Sequence, residues 1–195
     1  MMTQIILASA SPRRQEILKL LAIPFEARPA PDEPPINRDL PPHKAVLEVA
    51  RYKAEYISRL YSAAYTVIGA DTVVSIDGEL LGKPKSENDA AEMLRRLSGR
   101  THTVYTGVWV CGCPHGHEKS AGFTDATDVH FYPLSQQDIE WYISTGEPMD
   151  KAGAYGIQGK GMRFIRSITG DFYNVMGLPA ARLYRFLNHP SDEYQ

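Results

Sequence analysis

Apolar and polar positions repeat with two different periods along the chain, and each period is typical of one kind of element. Short apolar and β-branched runs predict strands, whereas apolar residues spaced three and four apart predict helices. Strands are predicted at residues 3–8, 65–76, 79–81, 103–111, 124–132, 162–168 and 172–176, and helices at residues 13–21, 42–61, 86–97, 135–145 and 179–188. Strands and helices mixed in this order favour an α/β fold with a mixed sheet and flanking helices.

Local signals refine three of these elements. Ser11 is expected to cap the first helix, with Pro12 at its first helical position. Residues 69–72 are expected to interrupt the strand at 65–76, since glycine and aspartate are unfavourable in strands. Residues 169–171 are expected to form the turn of a hairpin between the last two strands.

Composition narrows the class of protein. The 195 residues are 43% hydrophobic and carry 21 Lys and Arg against 23 Asp and Glu, a net charge of −2. This balance argues against a nucleic-acid-binding protein, because such domains usually carry a clear basic excess. No apolar run approaches the length of a membrane span. We expect one cytoplasmic domain over residues 1–195, with residues 189–195 as a loose tail.

One short segment holds several possible metal ligands. Cys111, Cys113, His115 and His117 alternate along the chain. Structural zinc sites prefer wider spacing between ligand pairs, and Pro114 indicates a turn. A hairpin loop with incidental Cys and His is therefore favoured over a metal site. With only two cysteines, a disulfide framework is excluded.

The first helix begins with two cations where its dipole disfavours them. Arg13 and Arg14 lie in the first turn, close to the hydroxyl groups of Ser9 and Ser11. Free backbone N–H groups and fixed positive charge together are suited to binding a phosphate chain. Two solvated arginines beside a capped helix are an equal alternative.

Charged side chains also interrupt two apolar segments. Lys53 lies on the apolar stripe of the second helix, where it could extend towards solvent from the stripe edge. Asp71 lies within an apolar strand and needs a partner, either a metal, a cation such as Lys83, or a local backbone donor. Residues 150–159 form a glycine-rich loop with an aromatic ring and an amide, which would let backbone approach a flat ligand.

Motifs spread along the chain connect these features. They are LASASPRR (residues 7–14), KA (53–54), GADT (69–72), GKP (82–84), LSGR (97–100), TG (106–107), GEPMDKAGAYGIQG (146–159) and GLP (177–179). With them the chain resembles the Maf family of nucleoside triphosphate pyrophosphatases over about residues 5–187. The resemblance implies a two-lobed fold of the inosine-triphosphatase-like type around a deep cleft, and a homodimer. It also implies cleavage of a nucleoside triphosphate to monophosphate and pyrophosphate with a divalent cation, magnesium, manganese or cobalt.

The resemblance also implies roles for single residues. Arg13, Thr72 and Gln158 match the branch that acts on dTTP and UTP rather than on 7-methyl-GTP. Asp71 corresponds to the general base, and it could equally bind the metal. Glu33 is the second candidate metal ligand, with Asp32 as its alternative. The residues expected to hold phosphate are Ser9, Ser11, Arg14, Lys53 and Lys83.

Two other functions stay open at this point. One is a house-cleaning pyrophosphatase for modified pyrimidine nucleotides, which would tolerate dTTP and UTP. The other is a nucleotide-binding regulator of septum formation without significant turnover. The presence of Asp71 and Lys83 argues against the second, since loss of either would have favoured a protein without turnover.

Overall fold

A computed structural model of the chain describes residues 4–61, 65–112 and 120–188. Its strands are β1 (Gln4–Leu7), β2 (Phe25–Ala27), β3 (Tyr65–Ile76), β4 (Glu79–Leu81), β5 (Thr101–Cys111), β6 (Ser120–Phe131) and β7 (Ile165–Thr169). Its helices are α1 (Pro12–Leu20), α2 (Pro42–Ser58), α3 (Glu87–Leu97), α4 (Gln136–Ser144), α5 (Phe172–Met176) and α6 (Ala180–Asn188). Short 3₁₀ turns lie at Glu147–Asp150, Ala152–Ala154 and Gly159–Phe164. None of the helices in this part of the chain is long and apolar enough to cross a membrane.

The strands form a single seven-stranded sheet in the order β2-β1-β3-β5-β6-β7, with β4 beside β3. β1 runs parallel to β2 and β3, and the remaining pairs are antiparallel. The sheet is therefore mixed, and the predicted α/β class is confirmed. The division into one domain with a loose tail stays a prediction, and residues 189–195 lie outside the described part.

β3 lacks a strand partner along the middle of one edge. On its other edge it pairs with β5 from Val67 to Ser75. On this edge β1 pairs with residues 65–68 and β4 with residues 74–76, so that no strand in the described ranges covers residues 69–73. We call these five residues the edge gap. The chain leaves β1 and β4 on either side of it, which places the segments after both strands around one opening.

Helix α2 packs closely against the sheet because two glycines lie beneath it. A Cβ atom on Gly69 would lie 2.2 Å from the Ala50 carbonyl oxygen, and one on Gly107 would lie 2.7 Å from the Val46 carbonyl oxygen. Side chains alternate between the faces of a strand, so Asp71 points to the same face as Gly69. The glycines thereby bring α2 within reach of Asp71.

Buried apolar side chains pack at both ends of the sheet. One cluster surrounds α3 and α4 and contains Leu94, Phe131, Tyr142 and Phe164. Another surrounds α1 and α6 and contains Ile17, Ile68, Leu178 and Leu183. Residues of β3 contribute to both clusters, Ile68 and Ala70 to the second and Val74 and Ile76 to the first, and Asp71 lies between these contributions.

Two sequence predictions about strands are wrong. β3 is continuous through residues 69–72, because the backbone there pairs in register with β5 and the Asp71 side chain leaves the ladder intact. Residues 172–176 form helix α5 rather than a hairpin strand. The Asp171 carboxylate accepts a hydrogen bond from the Tyr173 amide, and Gly177 in the left-handed region ends the helix.

Other local predictions fare differently. Ser11 caps α1 and Pro12 is its first residue, as predicted. The apolar stripe predicted for the second helix ends at Ile57, because Leu60 is exposed. Strand β2 was not predicted from the sequence at all.

In the candidate metal segment, Cys111 is buried, and burial raises the pKa of its thiol. Cys113, His115 and His117 lie outside the described residues.

Candidate active site

A cavity of about 870 Å³ opens at the edge gap. It brings together every residue predicted to take part in the site, although their roles stay predictions. Those residues are Ser9, Ser11, Arg13, Arg14, Glu33, Lys53, Asp71, Thr72, Lys83 and Gln158. Asp32, the alternative to Glu33, also lines the cavity.

Arg14 is buried at the base of the cavity rather than solvated. Its Nε donates to the Gly177 carbonyl oxygen at 2.8 Å, Nη1 to Ser9 Oγ at 3.1 Å and Nη2 to Thr72 Oγ1 at 3.0 Å. Burial lowers the pKa of Arg14, and the negative charge of Asp71 opposes that shift. The guanidinium is thus fixed in one orientation by three acceptors, with two N–H groups left for a ligand.

Hydroxyl groups continue inward from Arg14 as a directed chain. Thr106 Oγ1 donates to the Asn174 carbonyl oxygen at 2.9 Å, and a carbonyl can only accept. Thr72 Oγ1 must therefore donate its hydrogen to Thr106 Oγ1, 3.0 Å away, and so accepts from Arg14. Thr72 presents a lone pair, not a hydrogen, to the guanidinium.

Arg13 lies across the opening from the 3₁₀ turns. Its Nη1 is 3.9 Å from the Asp150 carboxylate, which also accepts from Lys151 Nζ at 2.6 Å. Burial raises the pKa of Asp150, but the hydrogen bond and charge of Lys151 and the charge of Arg13 leave that pKa below its ordinary value. An ion pair thus connects the start of α1 with the 3₁₀ turn Glu147–Asp150, which precedes Gln158 in the chain.

Lys53 is the other buried cation of the cavity. The Lys53 side chain is 9% exposed, and its Nζ donates to Asp71 Oδ1 at 2.8 Å and also forms an ion pair with Glu33. Burial lowers the pKa of Lys53, while Asp71 acts to raise it. The sequence alternative of a lysine reaching solvent is therefore wrong, and Asp71 has the cationic partner that its burial requires. That partner is Lys53 rather than the exposed Lys83.

Glu33 and Asp71, the carboxylates expected to hold a divalent cation, both line the cavity. No group of three or more His, Cys, Asp or Glu residues suited to a metal occurs within the described ranges. Two carboxylates nevertheless meet at Lys53 Nζ, and magnesium is commonly held by one or two carboxylates completed by phosphate oxygens and water. The residues fit a cation that binds together with a phosphate ligand.

Some residues that shape the cavity were missed in the sequence. Thr106 and Asn174 extend the hydroxyl chain, and neither has a spacing that would indicate this. Glu147 and Tyr142 hold the segment that carries Gln158 through backbone hydrogen bonds. These contacts join distant parts of the chain, so no local pattern indicates them. Only the family resemblance could have indicated Thr106 and Glu147, because both lie in its motifs.

Comparison with known proteins gives near-full-length matches. A family profile for Maf-like protein matches residues 4–190. A dTTP/UTP pyrophosphatase of Bacillus velezensis is 51% identical over 187 residues, covering 96% of this chain and 96% of its own. Proteins with the same name from Bacillus pumilus and Bacillus cereus are 48% and 46% identical over 186 residues, each covering 95% of this chain and 96% and 95% of their own.

Among solved structures, the Ham1 protein of Staphylococcus aureus aligns with a TM-score of 0.47 and 16% identity, covering 83% of this chain and 79% of its own. That likeness is too remote to carry an argument. The family match does not depend on it, since the profile and the relatives each cover nearly the whole chain. The family expected from the sequence motifs is confirmed, and the chain belongs to the Maf-like proteins.

Proposed function

We propose that this protein hydrolyses dTTP and UTP to the nucleoside monophosphate and pyrophosphate. The observation that carries the proposal is the cavity at the edge gap, whose lining includes the cations Arg14, Lys53 and Lys83 and the amide side chain of Gln158. The phosphate groups of a triphosphate require nearby cations, and a pyrimidine base can form hydrogen bonds with the glutamine amide. Relatives about half identical over nearly the full length bear the name dTTP/UTP pyrophosphatase, which supports the same activity here.

The cations and hydroxyls would hold the phosphate chain. Arg14 keeps two N–H groups for phosphate oxygens, and Lys83 is exposed to the cavity. Ser9 and Ser11 add hydroxyl groups at the start of α1, where backbone N–H groups favour anions. Fixed positive charge of this kind stabilises the charge that develops on phosphorus oxygens during hydrolysis.

The reaction is attack of water on the α-phosphorus. A bond forms from the water oxygen to phosphorus, the bond from phosphorus to the bridging oxygen breaks, and pyrophosphate leaves with the electron pair. Asp71 would accept the water proton, with Lys53 holding its carboxylate in place. Glu33 and Asp71 would also hold a divalent cation, which would neutralise phosphate charge and acidify a bound water.

Gln158 would read the base. Its amide can accept from N3–H and donate to O4 of uracil or thymine. The thymine methyl group changes binding by only about 1–3 kcal/mol, so both dTTP and UTP should be substrates. Arg13 and Thr72 would affect the same preference for dTTP and UTP. Arg13 would act through its ion pair at the start of α1, and Thr72 would act by orienting Arg14.

The direct test is pyrophosphate release from the standard ribo- and deoxynucleoside triphosphates and 7-methyl-GTP, with magnesium, manganese, cobalt or a chelator. We expect preference for dTTP and UTP and loss of activity with chelator. Activity on 7-methyl-GTP alone would contradict the specificity, and binding without turnover would instead favour the regulator of septum formation.

A second panel separates the house-cleaning alternative. The shape of the pocket at C5 determines which 5-substituted pyrimidine triphosphates it accepts. A kcat/KM for a modified base about a hundredfold above that for dTTP would favour the house-cleaning function. We also propose a cytoplasmic homodimer that does not bind nucleic acid. Light scattering after gel filtration measures the oligomeric state, and a duplex-binding assay at low salt measures binding to nucleic acid.

A further inference from the structure

The segment carrying Gln158 is tied to two side chains that lie outside it. On one side of Gln158, the Gly156 amide donates to Tyr142 Oη at 3.2 Å. On the other side, the amides of Lys160 and Gly161 donate to the Glu147 carboxylate at 3.0 Å and 3.3 Å. Tyr142 Oη in turn donates to Glu147 Oε1 at 2.9 Å, which joins both ties into one network.

The backbone reaches these side chains because glycines leave room for them. A Cβ atom on Gly159 would lie 2.9 Å from the Glu147 carboxylate oxygens, and one on Gly161 would lie 2.7 Å from Tyr142 Oη. The Tyr142 ring is fully buried and packs edge-on against Phe164, with ring centroids 5.0 Å apart. The network therefore rests on an anchored ring and not on a mobile surface residue.

Glu147 serves this network only as an ionised acceptor. Burial raises the pKa of Glu147, but the amide of Lys160, the Tyr142 hydroxyl and the amide of Gly161 outweigh it and leave that pKa below its ordinary value. Three donors converge on a group that carries acceptors alone. A glutamine in its place would turn an NH₂ group towards at least one of those donors.

We propose that Glu147, supported by Tyr142, is a positioning residue that sets Gln158 for reading the pyrimidine base. The proposal rests on the proposed function, in which Gln158 pairs with O4 and N3–H. Glu147 acts through the backbone on either side of Gln158 and not by touching the base, since its oxygens are already engaged by three donors.

The test compares Glu147→Gln with Glu140→Gln, a matched control on the exposed face of α4 whose carboxylate accepts a hydrogen bond from Gln136 Nε2 at 2.7 Å. The readout is the ratio of kcat/KM for UTP to that for the triphosphate of pyrimidin-2-one riboside, a base without O4 and without the N3 hydrogen. We expect Glu147→Gln to lower this ratio by about tenfold, the size of one to two hydrogen bonds, and Glu140→Gln to leave it unchanged.

Two further variants keep the outcome decisive. In a Gln158→Ala background, Glu147→Gln should not lower the ratio further, because the residue through which it acts is gone. Tyr142→Phe, which keeps the buried ring and removes the hydroxyl, should lower the ratio in the same direction. An equal loss for both triphosphates, or a further fall of the ratio in the Gln158→Ala background, would overturn the proposal.

Amide hydrogen exchange tests the ties without any substrate. We expect residues 156–161 to exchange faster in Glu147→Gln than in the unaltered chain, and unchanged exchange would overturn the proposal. Failure of the unaltered chain to hydrolyse UTP would instead overturn the proposed function. The two failures are therefore distinguishable.

Discussion

Arg14 Nη2 donates to Thr72 Oγ1 at 3.0 Å, which joins the first turn of α1 to the edge gap of β3. Thr72 was expected to affect specificity, and the contact indicates that it would do so by orienting Arg14. Thr72→Val keeps the shape of the side chain and removes this acceptor. We expect kcat/KM for UTP to fall by about tenfold, in line with loss of a hydrogen bond to a charged group. Steady-state kinetics checks this, with Thr101→Val, whose hydroxyl contacts His130 instead, as the control.

Asp71→Asn removes the proton acceptor while keeping its size. We expect kcat for UTP to fall by at least about a hundredfold, because general-base catalysis contributes on that scale. Lys53 retains Glu33 as a partner, so nucleotide binding should persist in a calorimetric titration. Unchanged turnover would contradict the general-base role and weaken the case for Asp71 as a metal ligand.

Gly69→Ala should disrupt the packing of α2 on the sheet. The new methyl group would lie 2.2 Å from the Ala50 carbonyl oxygen, where backbone would have to shift. We expect the free energy of unfolding to fall by about 3 kcal/mol or more, since overpacking against backbone is costly. Chemical denaturation measures it, and Gly82→Ala, which meets nothing within 4 Å, should change stability little.

Because His102 is buried, we expect the free energy of unfolding to fall in mild acid. His102 Nε2 lies 2.7 Å from Tyr155 Oη, and burial lowers the pKa of His102 to about 4. In the unfolded chain, the pKa of the same imidazole is about 6.5. This contribution to stability is therefore full above about pH 6.5 and is lost as the pH falls towards about 4.

Between about pH 7 and pH 4.5, the linkage amounts to about 2 kcal/mol. We expect the unaltered chain to lose that much more stability over this range than His102→Gln, in urea denaturation at both pH values. His43→Gln, at an exposed position on α2, is the control. An equal pH dependence in His102→Gln and the unaltered chain would show that His102 is not the group responsible.

The sequence predicts elements whose signals are local and misses those set by distant contacts. The Ser11 cap and Pro12 define the start of α1 from adjacent residues alone. The interruption predicted in β3 is wrong because pairing with β5 outweighs the low strand propensity of Gly69 and Asp71. The hairpin strand predicted at 172–176 is wrong because the Asp171 cap and Gly177 favour a helix.

The site follows the same division. Arg14, Lys53 and Asp71 stand out in the sequence because charge at apolar or dipole-disfavoured positions needs compensation. Their partners do not stand out, since Lys53 meets Asp71 only where Gly69 and Gly107 admit α2. Glu147 looks like an ordinary charged loop residue until the chain returns to it 13 and 14 residues later.

The edge gap lies in the middle of a continuous strand, so Asp71 and Thr72 line the cavity from within β3. β3 supplies Val74 to one hydrophobic cluster and Ile68 to the other, with Asp71 between them. Asp71 and Thr72 keep their place while the two clusters persist, because the same strand spans both. We therefore expect the site and the fold to melt as one cooperative unit, so that a bound nucleotide slows exchange of core amides at both ends of the sheet as well as at the cavity.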